Sequence, residues 1–272
     1  LDVLGFSRVR DLRNGEAIII VPGEEPIWIQ VEEQPHRPCI FELVYFARPD
    51  SFLDEISVYK TRRRFGEALA KQWQENEAPE PDVVIPIPDS ARDAALSMAQ
   101  ALGKPFREGL IKNRYVGRTF IMPNQEARTR SIRRKLNPIP LEFKGKNVLL
   151  VDDSIVRGNT SRRIIETARA AGARNVYFAA TSPPLVAPCP YGIDMATERD
   201  FIARGCTVEG VCQSIGADYL MYLDLGRMIQ AASVGNPDIQ GFCSGCFSGS
   251  YPTTDAKKHL VALAAERAQA RD

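Results

Sequence analysis

The sequence predicts an α/β fold, a mostly parallel sheet flanked by helices, with a separate β segment before it and a helical extension after it. Between residues 80 and 225, short apolar or β-branched runs alternate with longer stretches of helical periodicity. That alternation marks strands of a parallel sheet covered by helices. Glycines close the helical stretches, as expected of C-terminal stops.

Glu16 to Val21 and Ile27 to Val31 read as a β-hairpin whose turn holds Gly23, Glu24 and Glu25. Pro35 and Pro38 bracket a linker, so residues 1 to 38 form one unit, 39 to 230 the main domain and 231 to 272 a C-terminal segment. In the main domain the strands are Val83 to Ile87, Val148 to Val151, Val176 to Ala180 and Tyr219 to Leu223. Each is too short and too apolar for a surface helix. Ser90 to Leu102 puts Ala94, Ala95, Met98 and Leu102 on one helical side before Gly103, and Thr160 to Ala171 repeats the design before Gly172. After residue 230 the chain turns rich in Gly and Ser and ends in an alanine-rich helix from Ala256 to about Ala270.

The composition is that of a globular chain, 44% hydrophobic and 25% charged, with a net charge of +1. A near-neutral total offers no field for nucleic acid or an anionic membrane, and a small charged ligand fits better. No apolar run reaches the roughly 18 residues of a membrane span. The chain is expected to be cytoplasmic, with no nucleic acid or membrane partner. It begins at Leu1 rather than Met, which suggests a processed, excised or incompletely recorded product.

The most informative stretch runs from Val148 to Ser161: a buried-strand signal ending in Asp152 and Asp153, then Ser154, Arg157 and a loop of Gly158, Asn159, Thr160 and Ser161 opening a helix. A helix N-terminus leaves N–H groups unpaired and carries partial positive charge, so this loop can wrap a phosphate, with Gly158 allowing close backbone approach. Two carboxylates at an exposed strand end can take hydrogen bonds from vicinal sugar hydroxyls and hold Mg²⁺ through water. Together these groups read a ribose 5-phosphate. Taken alone, Asp-Asp would be a turn and Thr160 or Ser161 an N-cap; it is the extended pattern that points to phosphate-sugar binding. The stretch resembles the phosphoribosyl pyrophosphate signature of type I phosphoribosyltransferases.

Three further stretches carry a narrower resemblance, Cys39 to Ser51, Lys112 to Ile121 and Tyr191 to Met195, in the order found in amidophosphoribosyltransferases. That resemblance implies a type I phosphoribosyltransferase fold that joins ammonia, derived from glutamine in the intact enzyme, to phosphoribosyl pyrophosphate. The products would be 5-phosphoribosylamine and pyrophosphate, in the first committed step of purine synthesis. It makes Pro86 to Ser90 the pyrophosphate loop, with Asp89 in contact with substrate and Ser90 joining Asp152 and Asp153 near Mg²⁺. It makes Lys112 to Lys135, which also holds Arg128, Arg130, Arg133 and Arg134, a catalytic lid with Lys112, Arg114, Tyr115 and Arg118 as its working residues. By charge alone the run would be a solvated face or an RNA grip; a lid would stabilise departing pyrophosphate and exclude water.

Cys243 and Cys246 form a C-x-x-C pair, which suggests metal binding or redox chemistry. The family resemblance, which extends through Phe247, Gly249, Tyr251 and Pro252, implies that Cys39, Cys189, Cys243 and Cys246 ligate a [4Fe-4S] cluster. The same four thiolates could by their chemistry bind Zn²⁺. Cys206 and Cys212 are expected to be inert, and His36 and His259 ordinary linker or surface residues. The resemblance further implies that residues 1 to 38 are the end of a glutaminase domain whose N-terminal nucleophilic cysteine is missing, and a homo-oligomer is expected. The competing class is a non-catalytic phosphoribosyl pyrophosphate-sensing regulator; a scaffold fragment is a third reading. A sensor has no need of the complete Lys112 to Ile121 stretch.

Overall fold

The protein is described here by a computed structural model covering residues 4–112, 136–193 and 198–269, without the side chains of 199 and 264–269. Its centre is a four-stranded parallel sheet: β5 (Val83–Pro86), β8 (Asn147–Asp152), β9 (Asn175–Ala180) and β10 (Tyr219–Tyr222), in the order β10-β9-β8-β5. The four strands expected from the sequence are these four, with ends differing by a residue. Their side chains alternate between two cores, as the two-residue strand period requires. Val84, Leu149, Val151, Tyr177, Ala179 and Met221 enter one; Ile85, Leu150, Val176, Phe178, Leu220 and Tyr222 enter the other.

The first core is covered by α1 (Val58–Glu75), α2 (Arg92–Leu102) and α6 (Leu225–Ser233), the second by α4 (Asn159–Ala170) and α5 (Val208–Ile215). Helix α1 is absent from the sequence expectations above. Its buried stripe is Val58, Thr61, Arg62, Phe65, Leu69 and Trp73, a helical spacing made less visible by the charges at Arg62, Arg63 and Arg64. Ser57 caps its first turn by accepting from the Lys60 N–H at 3.4 Å. Gly66 sets how closely α1 meets α2, because an added Cβ would lie 2.0 Å from the Ala94 carbonyl oxygen. Gly103, with φ of 65°, ends α2 in the left-handed conformation.

Ahead of the sheet, β1 (Glu16–Ile19) and β2 (Ile27–Gln30) form the expected antiparallel hairpin, which the linker residue His36 ties to Asp54 at 2.6 Å. Phe52–Leu53 and Ile56–Ser57 form the short ribbon β3 and β4. Another ribbon, β6 (Leu110–Lys112) with β7 (Leu136–Pro138), pairs Lys112 with Leu136 and so brackets residues 113–135. A short α3 (Pro140–Phe143) follows; α7 (Gly245–Ser248) and α8 (Ala256–Gln269) lie beyond α6. No helix among the described residues is long and apolar enough to cross a membrane.

Candidate active site

In parallel sheets ligands gather at the carboxyl ends of the strands, and here the two loops of interest leave adjacent strands. Pro86 pairs with Val151, and the Ile87 N–H continues the ladder to the Val151 carbonyl at 2.8 Å. The loop from Pro86 to Ser90 therefore runs beside Asp152 and Asp153. The Ser90 hydroxyl donates to Asp153 Oδ2, and the Ser154 hydroxyl donates to Asp153 Oδ1 at 2.5 Å. The Asp153 N–H donates to Asp152 Oδ1 at 2.9 Å. Beyond them, Thr181 donates its N–H to the Asp152 carbonyl at 2.9 Å.

The two acids are not at an exposed strand end, contrary to the sequence expectation: Asp152 is 9% and Asp153 7% exposed. The sheet carries them inward because β9 flanks β8 to its last residue, Asp152 opposite Ala180. Burial, then the charge of Asp153, holds the Asp152 carboxyl well above the ordinary range. Burial also raises Asp153, against hydrogen bonds from Ser154 and Ser90 and the nearby charge of Arg62. Two buried like charges with hard oxygen donors and a hydroxyl beside them suit a divalent cation, since Mg²⁺ is held by one or two carboxylates together with substrate phosphates. The residues thus fit the ion.

After the acids, the chain turns into α4 at Gly158, which has φ of 72° and serves as N-cap without a side-chain cap bond. Neither Thr160 nor Ser161 caps the helix, so its first-turn N–H groups have no side-chain acceptor there. Asn159 and Thr160 are exposed and Ser161 is buried. Gly158 is also closely packed: an added Cβ would lie 2.4 Å from Ile202 Cδ1 and 3.2 Å from Ile215 Cγ2. Arg157 is ion-paired with Asp200 at 2.8 Å.

Lys112, the last residue of β6, donates to Asp89 at 2.7 Å, and Arg92 stands 3.8 Å from the same carboxylate. Through Asp89, Ser90 and Asp153 the structure joins Lys112 to the acidic pair. Arg114, Tyr115 and Arg118, with the rest of the basic stretch through Lys135, lie outside the described residues, as do Asp194 and Met195. Sequence reasoning missed Arg62, 4% exposed, whose guanidinium donates to the Leu43 carbonyl at 3.0 Å and the Ala47 carbonyl at 2.8 Å. An arginine on the apolar stripe of a helix was the available signal.

Four of the six cysteines converge. Cys39 and Cys243 form a parallel β-bridge, with the Cys243 N–H donating to the Pro38 carbonyl at 2.8 Å. The Cys246 carbonyl accepts from the Val186 and Ala187 N–H groups at 2.9 and 3.1 Å, next to the Cys189 loop. Electrostatically, Cys39, Cys189, Cys243 and Cys246 act on one another in every pairing. Burial pushes the Cys39 thiol up to about 11 and raises Cys243 and Cys246. Cys206 is exposed, and Cys212 donates to the Ala217 carbonyl at 3.3 Å. Among the described residues, no group of three or more His, Cys, Asp or Glu side chains could hold a metal ion as it stands. The chemistry of the donor set, four soft thiols, is that of an iron–sulfur cluster or of a tetrahedral zinc.

Residues 59–182 match the family model of the phosphoribosyl transferase domain. The chain is 52% identical over 260 residues to an amidophosphoribosyltransferase of Escherichia coli (strain K12), covering 94% of this chain and 51% of that protein. It is 49% identical over 253 residues to one of Saccharomyces cerevisiae, covering 91% and 49%. The glutamine phosphoribosylpyrophosphate amidotransferase of B. subtilis, solved with ADP and GMP, superimposes with a TM-score of 0.81 at 42% identity, covering 93% of this chain and 55% of that one. The chain thus spans about half the length of the curated relatives it matches. With a type I phosphoribosyltransferase fold and this identity along nearly its whole length, the chain is similar to about half of an amidophosphoribosyltransferase.

Proposed function

We propose that this chain performs the synthase half of an amidophosphoribosyltransferase, making 5-phosphoribosylamine and pyrophosphate from phosphoribosyl pyrophosphate and ammonia, in the cytoplasm, as the first committed step of purine synthesis. The observation that carries the proposal is the buried pair Asp152 and Asp153 at the end of β8, with the uncapped start of α4 following it and the Pro86 to Ser90 loop beside it at the end of the adjoining strand β5. The 5-phosphate would sit on the N–H groups of Asn159, Thr160 and Ser161, beside Ser154 and Arg157. The ribose hydroxyls would face Asp152 and Asp153, and the pyrophosphate would lie against Asp89 and Ser90. Mg²⁺, held by Asp152, Asp153 and Ser90, would supply positive charge to the leaving group. The ammonia lone pair forms the C1–N bond as the bond from C1 to pyrophosphate oxygen breaks, and the nitrogen then sheds a proton. Lys112, with Arg114, Tyr115 and Arg118 of the following stretch, would neutralise the pyrophosphate and keep water from C1.

Cys39, Cys189, Cys243 and Cys246 are proposed as ligands of a [4Fe-4S] cluster, which would serve as a cross-link between the first and last parts of the main fold. Residues 1 to 38 are proposed to complete a glutaminase portion, leaving 39 to 230 as the transferase domain and 231 to 272 as the cluster segment. In support, Ile19, Ile27 and Ile29 of the hairpin are exposed, an apolar surface that a further domain would cover. A homo-oligomer is part of the same proposal. The comparisons lend nothing to the reading of a non-catalytic sensor.

The test is turnover by these 272 residues. Ammonium salts should support pyrophosphate release and trapped phosphoribosylamine, faster as pH rises toward the ammonium pKa, and glutamine should support neither. Glutamine-dependent product from a preparation of this mass, or no product from ammonia, would overturn the assignment.

A further inference from the structure

Around the four cysteines stands an aromatic pair to which nothing above gives a task. The Tyr251 ring lies against the backbone of the Cys243–Cys246 turn, so closely that a Cβ added at Gly245 would come 2.4 Å from Tyr251 Cδ1 and 2.6 Å from Cε1. From there the Tyr251 hydroxyl donates to the Pro188 carbonyl at 2.6 Å, immediately before Cys189. Tyr191 meets Tyr251 edge to face, with centroids 6.2 Å apart and an interplanar angle of 73°. The Tyr191 hydroxyl pairs with the Thr253 hydroxyl at 2.9 Å and accepts the Thr253 N–H at 3.2 Å, while the Tyr191 N–H donates to Cys189 Sγ at 3.3 Å.

The Tyr251–Pro188, Tyr191–Tyr251 and Tyr191–Thr253 contacts span one gap, between the loop of Cys189 and the segment of Cys243 and Cys246, while the packing of Tyr251 on Gly245 and the Tyr191 N–H on Cys189 Sγ anchor each tyrosine on its own side. Cys39 and Cys243 are already joined by backbone hydrogen bonds, and so is Cys246 to Val186 and Ala187. Cys189 has no such backbone tie of its own among the described contacts, and its loop is fastened at Pro188 and Tyr191 through side chains. We propose that Tyr251, together with Tyr191, is the clasp of the four-cysteine site: it fastens the Cys189 loop to the Cys243–Cys246 turn and sets how often that loop opens to solutes. These are positioning residues, since they hold a ligand-bearing loop and stand outside the acidic pair.

The proposal rests on reading the four cysteines as one site, and its test works with or without iron. In metal-free full chain, iodoacetamide labelling of each cysteine is followed by peptide mass, in wild type, Tyr251→Phe, Tyr251→Ala and Tyr191→Ala. Tyr251→Phe keeps the ring and removes only the bond to Pro188, so Cys189 should label about fivefold faster, the equivalent of the ~1 kcal/mol of a neutral hydrogen bond. Tyr251→Ala should accelerate it further, while Cys206 keeps its wild-type rate and ammonia-dependent turnover is unchanged. If Tyr251→Ala speeds every cysteine alike, it has unfolded, and Tyr251→Phe alone decides. An unchanged Cys189 rate in Tyr251→Phe, with Cys206 also unchanged, would overturn the clasp. Absence of iron and sulfide in anaerobic wild type would remove the cluster reading and leave the labelling comparison standing.

Discussion

Asp152 and Asp153 are costly residues to place where they are. A buried carboxylate loses hydration, and a second one beside it adds repulsion, so in the absence of a cation the pair works against the fold. Such a cost is retained where the groups serve a ligand. Replacing both, Asp152→Asn with Asp153→Asn, should therefore leave the folded chain as stable as wild type or more so without Mg²⁺, while productive binding of phosphoribosyl pyrophosphate is lost. Turnover should fall by at least about 10²-fold, the scale of removing one preorganised electrostatic group. Thermal unfolding with and without Mg²⁺, beside titration calorimetry with substrate, separates the two effects. Wild-type affinity in the double variant would take the acids out of the site.

At the scale of elements, the start of α4 shows one glycine meeting two demands. Its φ of 72° is one that other residues adopt at a cost, and its missing Cβ leaves room for Ile202 and Ile215 from the segment packed over it. Gly158→Ala should lower stability by about 1–3 kcal/mol in urea unfolding. Adding Ile202→Val removes the Cδ1 atom in closest conflict and should restore part of that loss, leaving the backbone term of ~1 kcal/mol. Full recovery would mean that the conformation costs nothing, and no recovery that the contact with Ile202 is not the limiting one. The loop expected from the sequence as a phosphate cradle is thus shaped from behind by packing. The helical stretches expected at Ser90 to Leu102 and Thr160 to Ala171 stand as α2 and α4, whereas α1 needed its buried Arg62 to be read as part of an apolar stripe.

Across the whole molecule, the C-terminal segment folds back onto the beginning of the main domain, where Phe242, Cys246 and Phe247 join the core that contains Ile40 and Phe41. Anaerobic purification should yield about four irons and four inorganic sulfides per chain, as a [4Fe-4S] cluster requires. Stoichiometric zinc without sulfide would replace that assignment. Because backbone bonds at Pro38, Ile40, Val186 and Ala187 already hold the segment, oxidative loss of a cluster should loosen it rather than release it. Limited proteolysis should then gain cuts in the exposed stretch Pro252 to Asp255, with the strands of the central sheet still protected.

By itself the sequence determined the parallel α/β sheet, the ends of its strands, the acids and small residues at the turn into α4, and the cysteines worth counting. Those depend on periodicity and turn chemistry within a few residues, which any local stretch carries in full. Tertiary structure decided that Asp152 and Asp153 are buried, since that follows from β9 running alongside β8 to its end. It decided that Gly158 answers to Ile202 and Ile215, that Arg62 serves the carbonyls of Leu43 and Ala47, and that cysteines from opposite ends of the main fold meet under Tyr251. Each of these is a contact between residues far apart in the chain, and only the packing of the whole chain brings such residues together.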